Sequence, residues 1–478
     1  MKKLISVLLT LTFVLGMCVP AFAAEEKTVS YKGDPVIIVR GIDFGGLIHE
    51  DGSKALAFNL KDVLTLVYEL AVGTAQKKEN AFEDALLSYC QKLFAPISSD
   101  KEGESVYPDV HMETYLHPAG EIEKLEEWTD GEGGLVHSAV EKLGGENVYF
   151  FTYDWRKSPL VLSDELNSFV EMVKKEKNAS KVDMAACSMG GMVATAYMYE
   201  YGTDSVDSLV YLSSAHNGTD VAGAALTGDI YTSEAFLSNY LMNKVGDSFL
   251  LKVLVKAVDA AGVFGFVADF LNNFVTKNKD RVYDELMRDY LGTSLGFWGL
   301  CCDKDFDSSV NFVFGKHKDE YPVVMSELSK IREFLFSTEK VIDKAYADGV
   351  KVSFVSHYGD MLLPIYAETV VESDSVLESY LTSNGATFAL FGETLTDEYL
   401  SKSDAKYISP DKVVDASTAL YKDTTWFIKD APHVGCRVGS EHADFALWLL
   451  SRESQPTVTA DSAYPCFMAV DKEMNFIR

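Results

Sequence analysis

A serine at the end of a predicted strand is the residue of this sequence best placed for nucleophilic chemistry. In the segment KVDMAACSMGGMVATAY, the apolar stretch 182–187 runs directly into Ser188, and Gly190 and Gly191 lead on into a helical pattern. A tight strand-to-helix turn of this kind is a nucleophile elbow, which holds a serine hydroxyl clear of a sheet above a helix N-terminus. The pattern predicts acyl-transfer chemistry at Ser188. The alternative is a serine that only caps a helix.

The elbow departs from the usual Gly-x-Ser-x-Gly pattern. Ala186 stands in the first glycine position, and Cys187 stands where a histidine is common. Alanine is the smallest replacement for glycine, so we expect the turn to form. Cys187 belongs to a predicted buried strand and is expected to be an unpaired core thiol. The chain has no CxxC pair and no Cys/His metal spacing, so we predict neither a metal site nor a cofactor.

A serine nucleophile needs a base to take its proton and an acid to orient that base. In a fold with this elbow, the chain order is serine, acid, histidine, and each residue lies on a loop after a strand. Asp360 follows the predicted strand 350–356, and His433 follows the predicted strand 425–429. The sequence therefore predicts a triad of Ser188, Asp360 and His433.

Both partners of the serine have alternatives. Asp360 follows Gly359, and this pair of residues is also typical of a simple turn. His357 lies close by but belongs to the acid loop. His442 stands where the last predicted helix begins, which is a poorer platform than a loop directly after a strand. Position therefore favours His433 as the base.

Two backbone N–H groups are expected to form an oxyanion hole. One comes from the residue after the nucleophile, which is Met189, and the other comes from the loop after the first core strand. That loop is the Gly-rich bend 40–46, where Ile42 is the candidate donor and Asp43 is the alternative. Glycine in such a bend lets the backbone approach a substrate closely.

Short apolar runs rich in Val, Ile, Phe and Tyr alternate with helical patterns along the chain. This alternation predicts an α/β fold with a mainly parallel, doubly wound sheet. The runs are residues 35–39, 148–153, 182–187, 209–213, 350–356 and 425–429, and helical patterns include 163–177, 192–201 and 442–451.

Two stretches interrupt the alternation. The first, 55–146, contains a polar, Gly-rich passage at 130–134, and the second, about 215–348, separates two predicted core strands. The centre of the second, 249–275, is apolar but is broken by charged residues, so it is a poor membrane span and is expected to form two helices around Gly262 to Gly265. We expect this insertion to be a helical cap over an acyl site, with burial in a core as the alternative.

Residues 1–23 have the pattern of a secretory signal peptide. Two lysines precede an apolar run, and Ala-Phe-Ala at 21–23 is a cleavage signature. The apolar run 4–19 is shorter than a spanning helix needs, which disfavours a membrane anchor. We therefore predict a secreted protein, with cell-surface association left open. Residues 24–478 are expected to be the catalytic domain with its cap, and two domains are the alternative.

Acidic residues strongly outnumber basic ones. The formal net charge is −29, and it becomes −31 once Lys2 and Lys3 leave with the signal peptide. We expect such a chain to be repelled by nucleic acid, so no nucleic-acid partner is predicted. The expected partner is a small-molecule or lipid ester. The apolar cap is a candidate for transient contact with a membrane or lipid surface.

Four segments together resemble one family, the lecithin:cholesterol acyltransferase-like branch of the α/β hydrolases. PVIIVRGIDFGG is similar to the family's opening strand and glycine loop, and FFTYDWRKSP at 150–159 is similar to its Tyr-Asp-Trp-Arg segment. The CSMGG elbow and the GDMLLP acid loop at 359–364 follow in the family's order, and LGFWGLCCDKDF at 295–306 is faintly like a cap segment. The sequence departs from the family at Ala186, at Cys187 and at Arg40, where a proline is frequent.

The resemblance implies an α/β-hydrolase fold and places Tyr153, Asp154 and Trp155 near the active site as candidate substrate-binding residues. Asp43 on the glycine bend is a further candidate. Asp154 could equally form a structural ion pair with Arg156, and Trp155 could either stack on a lipid head group or fill the core.

The expected function is that of a secreted serine esterase or lipase-type acyl hydrolase acting through an acyl-enzyme. One alternative is transfer of the acyl group to an alcohol on the same triad. Others are an amidase or peptidase, and a non-catalytic protein of hydrolase fold that binds a ligand or partner.

Overall fold

A seven-stranded, all-parallel sheet forms the centre of the molecule. The computed structural model describes residues 33–56, 81–244, 249–260, 262–363 and 371–477, so the predicted signal peptide lies outside the described residues. The strands are β1 (Val36–Val39), β2 (Val148–Phe151), β3 (Val182–Ser188), β4 (Val206–Ser214), β5 (Lys351–Tyr358), β6 (Thr425–Lys429) and β7 (Phe467–Ala469).

The strand order across the sheet is β7-β6-β5-β4-β3-β1-β2. Both faces of the sheet are covered, as parallel sheets require, because successive residues of a strand point to opposite sides. Ile37 and Val39 of β1 join one hydrophobic core, whereas Val36 and Ile38 join the other. The run of four apolar residues in β1 is explained by burial on both faces.

Helices cover the two faces of the sheet. Apolar residues of α3, α4 and α11 belong to the first core, and those of α2 and α12 belong to the second. The helices of eight or more residues are α1 (Ala81–Phe94), α2 (Gly131–Leu143), α3 (Pro159–Lys177), α4 (Met189–Tyr201), α5 (Asp220–Thr227), α6 (Glu234–Lys244), α7 (Phe249–Ala260), α8 (Val263–Val282), α9 (Asp303–Val313), α10 (Pro322–Leu335), α11 (Thr338–Ala347) and α12 (Glu441–Leu450).

The chain between β4 and β5 is a long helical insertion. It carries α5 to α11 and a π-helical segment, Tyr283–Gly292. The apolar stretch at its centre forms α7 and α8, and the break between them lies at Gly262, whose φ of +69° favours glycine. Among the described residues, no helix combines the length and apolar character needed to cross a membrane.

The α/β-hydrolase fold that the sequence predicts is the fold of the described chain. All six predicted core strands are present, and their ends lie within three residues of the predicted ones. The edge strand β7 was missed because it has only three residues. The six cysteines among the described residues are unpaired, and Cys187 is fully buried in β3, as predicted.

Candidate active site

Ser188 stands at a strained turn between β3 and α4. Its φ of 51° and ψ of −127° lie outside the regions that non-glycine residues normally occupy. Such strain persists only where the surroundings hold it, and it is common at active sites. The hydroxyl is therefore presented at the carboxyl end of a central strand, above the first turn of a helix.

Close contacts explain the two glycines of the elbow. A methyl group on Gly190 would collide with the carbonyl oxygen of Val39 and lie 2.6 Å from that of Arg40, while one on Gly191 would collide with the Ser214 hydroxyl. These positions bring α4 against the end of β1 and against β4. Ala186 lies two residues before Ser188 in β3 and is fully buried, so the strand accommodates its methyl group.

The loop after β1 lies directly over Ser188. A methyl group at Gly41 would lie 3.1 Å from the Ser188 Oγ, so this loop and the nucleophile are in contact. Its position is fixed by hydrogen bonds from the Arg40 N–H to the Phe151 carbonyl (3.1 Å) and from the Tyr153 hydroxyl to the Arg40 carbonyl (2.7 Å). The chain therefore needs glycine at position 41.

Three residues predicted to line the oxyanion hole sit at this contact. Met189 begins α4, so its N–H is one of the amides that a helix leaves without an intrahelical partner. Ile42 follows Gly41 on the loop. The Asp43 carboxylate accepts a hydrogen bond from the Gly45 N–H (2.9 Å) and pairs with Arg40, so Asp43 shapes the bend.

His433 lies on the loop after β6 and is hydrogen-bonded to Asp374. The distance from Nδ1 of His433 to Oδ2 of Asp374 is 2.7 Å. The other oxygen, Oδ1, accepts hydrogen bonds from the N–H groups of Val376 (3.0 Å) and Leu377 (2.7 Å). Asp374 is 1% exposed, and the His433 side chain is 19% exposed. This geometry is that of a base and its orienting acid.

Burial and neighbouring charge act in opposite directions on the pKa of Asp374. Burial alone would raise the pKa of its carboxyl, but the charge of His433, the hydrogen bond from His433 and the Leu377 N–H together lower this pKa below its usual value. Asp374 therefore stays ionised at neutral pH and accepts a hydrogen bond from the Nδ1–H group of His433. The Nε2 atom of His433 is then the nitrogen that can take a proton from a hydroxyl.

The pairing of His433 with Asp374 corrects the prediction that Asp360 is the acid. Asp360 begins a two-residue strand, Asp360–Met361, which pairs antiparallel with Glu372–Ser373. The chain thus returns to its starting point, and the next residue after that pairing is Asp374. Sequence reasoning placed the acid directly after β5. The return of the chain, which brings in a carboxylate 14 residues later, depends on tertiary contacts that no local motif records.

His442, the alternative candidate for the base, is part of the buried core. It is fully buried, and its Nε2 lies 2.9 Å from Nε2 of the equally buried His357. The other ring nitrogen of His357, Nδ1, lies 2.9 Å from the carbonyl oxygen of Pro432, the residue before His433. The two histidines therefore form a buried link from α12 to the loop that carries His433.

The buried histidine pair leads to a prediction about protonation. Burial lowers the pKa of His357 to about 4 and lowers that of His442 well below its usual value. Because an unfolded-chain histidine protonates near pH 6.5, the stability that the pair contributes is complete above pH 6.5 and is lost as the pH falls through about 4. We expect the ring nitrogen resonances of both residues not to titrate between about pH 8 and pH 5 in NMR spectra of ring-labelled protein. A midpoint near 6.5 for either resonance would contradict this network.

The Tyr-Asp-Trp-Arg segment serves the architecture. Asp154 forms a two-pronged pair with Arg156, with distances of 2.8 Å from Nε and 2.6 Å from Nη2. Arg156 also donates to the carbonyls of Pro96 and Val110, so it ties the 95–110 segment to the end of β2. Trp155 is fully buried, so its ring fills the core. The structure thus shows Asp154 in the ion pair and Trp155 in the core.

In the part of the chain that the structure describes, one group of side chains has donor atoms close enough to hold a metal ion. These atoms belong to Asp220, Cys302 and Asp305 and lie within 4.8 Å of one another. However, the Lys304 ammonium is 2.7 Å from Oδ1 of Asp220, and the Tyr380 hydroxyl donates to Oδ2 at 2.6 Å. Lys304 already balances the charge of Asp220, so we assign no metal to this group.

Comparison with known proteins gives no family assignment. No protein-family model matches the sequence, and no curated protein is a significant match. Among solved structures, "The crystal structure of Tle4-Tli4 complex" contains a chain that is 11% identical, with a TM-score of 0.24; the alignment covers 69% of this chain and 75% of that chain. A TM-score this low does not establish a shared fold. The fold assignment rests on the parallel sheet, its strand order and the turn at Ser188.

Proposed function

We propose that this protein is a serine hydrolase that cleaves carboxylic esters, with Ser188 as nucleophile, His433 as base and Asp374 as the acid that orients the base. The observation that carries the proposal is the strained Ser188 at the carboxyl end of β3, on the same edge of the sheet as the loop that bears the hydrogen-bonded His433–Asp374 pair. Parallel strands bring their carboxyl ends to one edge, and ligands of open α/β sheets bind there.

In the proposed reaction, Ser188 Oγ attacks the ester carbonyl carbon while Nε2 of His433 takes the hydroxyl proton. The carbonyl π electrons move to oxygen, and the N–H groups of Met189 and Ile42 stabilise the oxyanion. When the tetrahedral intermediate collapses, the C–O bond to the leaving alcohol breaks, and the alcohol receives the proton from His433. Water then attacks the acyl-serine with the same base, which releases the acid and restores Ser188.

The helical insertion supports the proposal that the bound group is an acyl chain. Its central helices, α7 and α8, have a largely apolar sequence, and the insertion joins β4 to β5, close in the sheet to the strand that carries Ser188. An alcohol that replaces water in the second step would make the protein an acyltransferase, which is the alternative on the same residues. We also propose action outside the cell, which the leader pattern at 1–23 supports.

A substrate series tests the proposed function. The wild-type protein is assayed with p-nitrophenyl esters from acetate to palmitate and with p-nitroanilides of short peptides. We expect ester turnover, with kcat/KM rising from short to longer acyl chains, and anilide turnover at least 100-fold slower. Turnover of anilides alone would assign an amidase. Absence of turnover with every substrate would reject the hydrolase in favour of a binding protein.

A further inference from the structure

Glu132 lies at the point where the β1 loop meets the nucleophile. Its Oε1 accepts a hydrogen bond from the Gly41 N–H at 2.8 Å. A methyl group placed on Gly41 would be 2.6 Å from this oxygen and 3.1 Å from the Ser188 Oγ. The carboxylate oxygen and the nucleophilic oxygen therefore border the same small space above Gly41. Sequence analysis noted only that this glutamate belongs to a polar, Gly-rich passage.

The charge of Glu132 is only partly balanced. Its side chain is 18% exposed, and Oε2 lies 3.7 Å from Nε of Arg40, beyond hydrogen-bond distance. That Nε is itself buried and has no hydrogen-bond partner within the described chain. The guanidinium of Arg40 also pairs with Asp43. Arg40 is therefore shared between two carboxylates and offsets only part of the Glu132 charge.

The first turn of α2 holds Glu132 against the loop that carries His433. The Val438 N–H donates to the Thr129 carbonyl at 3.0 Å, and Arg437 pairs with Asp130 at 2.9 Å. A methyl group on Gly134 would lie 2.6 Å from the Cys436 carbonyl oxygen. The helix N-terminus is thus docked on the residues just after His433. Its position leaves Glu132 between the loop of the oxyanion hole and the loop of the base.

The electrostatic surroundings of Glu132 include both catalytic loops. The pKa of the Glu132 carboxyl lies above its usual value: burial, the largest cause, raises it, Arg40, the Gly41 N–H and His433 lower it, and Asp43 raises it. The charge of Glu132 also acts on neighbouring groups. Burial raises the pKa values of Tyr153, Cys187 and Cys436, and the Glu132 charge raises them further.

The interaction with His433 is reciprocal. If protonated His433 stabilises the Glu132 carboxylate, then the carboxylate stabilises the protonated imidazole by the same free energy. His433 also faces Asp374, which acts in the same direction, and His357, on which its charge acts unfavourably. Glu132 and Asp374 are therefore both carboxylates that favour the imidazolium formed when Ser188 loses its proton.

We propose that Glu132 is a positioning residue of this active site, which holds the β1 loop against Ser188 through Gly41 and supplies a second negative charge to His433. The catalytic part of this inference rests on the proposed function. The structural part does not, because the Gly41 hydrogen bond and the effect on His433 exist without any substrate.

Two variants separate the two roles of Glu132. Glu132→Gln keeps an oxygen that can accept the Gly41 N–H but removes the charge, whereas Glu132→Ala removes both. We expect Glu132→Gln to lower the pKa of His433 by roughly one unit and to shift the acid limb of the kcat/KM profile to lower pH by the same amount. Glu132→Ala should in addition lower kcat about 10- to 100-fold with little change in KM, because the loop is no longer held.

The measurement is an NMR titration of the His433 ring in the full-length wild type and each variant, together with the Gly41 amide shift and the pH profile of ester turnover. Glu141→Gln is the matched control, because Glu141 lies on the same helix with a side chain that is 42% exposed. It should leave all three readouts unchanged. The Gly41 amide shift should be retained in Glu132→Gln and lost in Glu132→Ala.

An unchanged His433 pKa in Glu132→Gln would overturn the charge role, and an unchanged Gly41 amide in Glu132→Ala would overturn the loop role. Failure of the proposed function gives a different result. A wild type that turns over no ester, but whose His433 pKa falls in Glu132→Gln, would reject the hydrolase and retain the structural inference.

Discussion

Replacement of Ser188 by alanine is expected to lower kcat for p-nitrophenyl esters on the order of 10⁶-fold, because it removes the hydroxyl on which the proposed acyl-enzyme forms. The residual rate would come from the oxyanion donors and substrate binding. Ser208→Ala is the matched control, because Ser208 is a buried serine of the neighbouring strand β4. Within the described chain, its hydroxyl makes one long hydrogen bond, of 3.4 Å, to the carbonyl oxygen of Lys351. The Ser208→Ala variant should retain activity within a few-fold.

The measurement is steady-state kinetics on variants whose thermal unfolding matches that of the wild type. A Ser188→Ala protein with more than a tenth of the wild-type kcat would place the chemistry elsewhere.

The second large effect is expected at Asp374. Asp374→Asn should lower kcat/KM about 10⁴-fold, because an amide can no longer hold His433 in the tautomer whose Nε2 is unprotonated. The asparagine oxygen can still accept the bonds from the N–H groups of Val376 and Leu377, so the fold should survive. Asp360→Asn tests the competing assignment made from sequence position and should change kcat/KM by less than tenfold.

The two aspartates are compared in the same assay at a pH well above the pKa of His433. The opposite order of effects, with the larger loss in Asp360→Asn, would restore Asp360 as the orienting acid. Equal and small losses would show that the base does not depend on a carboxylate.

The parts of the fold that local pattern determines could be predicted from the sequence. The core strands β1 and β3 are runs of buried, mainly apolar residues. Such runs can be recognised in a sequence because parallel strands are covered on both faces. The sequence could predict the elbow at Ser188 because close contacts, with backbone at position 190 and with the Ser214 side chain at position 191, require glycine there. The break between α7 and α8 could be predicted for a similar reason, because the positive φ at Gly262 favours glycine.

The site residues that sequence reasoning missed are placed by tertiary contacts. Asp374 reaches His433 only because Asp360–Met361 pairs with Glu372–Ser373 and returns the chain to the edge of the sheet. Glu132 reaches the Gly41 N–H, beside Ser188, because α2 docks on the segment that follows His433. Neither carboxylate belongs to a motif with a fixed spacing from the serine, so periodicity and chain order could not identify them.

The central claim is that Ser188 is an activated nucleophile, and covalent labelling tests it most directly. The full-length protein is treated with a fluorophosphonate, which forms a stable adduct with activated serines, and the modified residue is located by peptide mass spectrometry. We predict one adduct, on Ser188, which is absent from the Ser188→Ala variant. An adduct on a different residue of an ester-cleaving preparation, or none at all, would contradict the assignment.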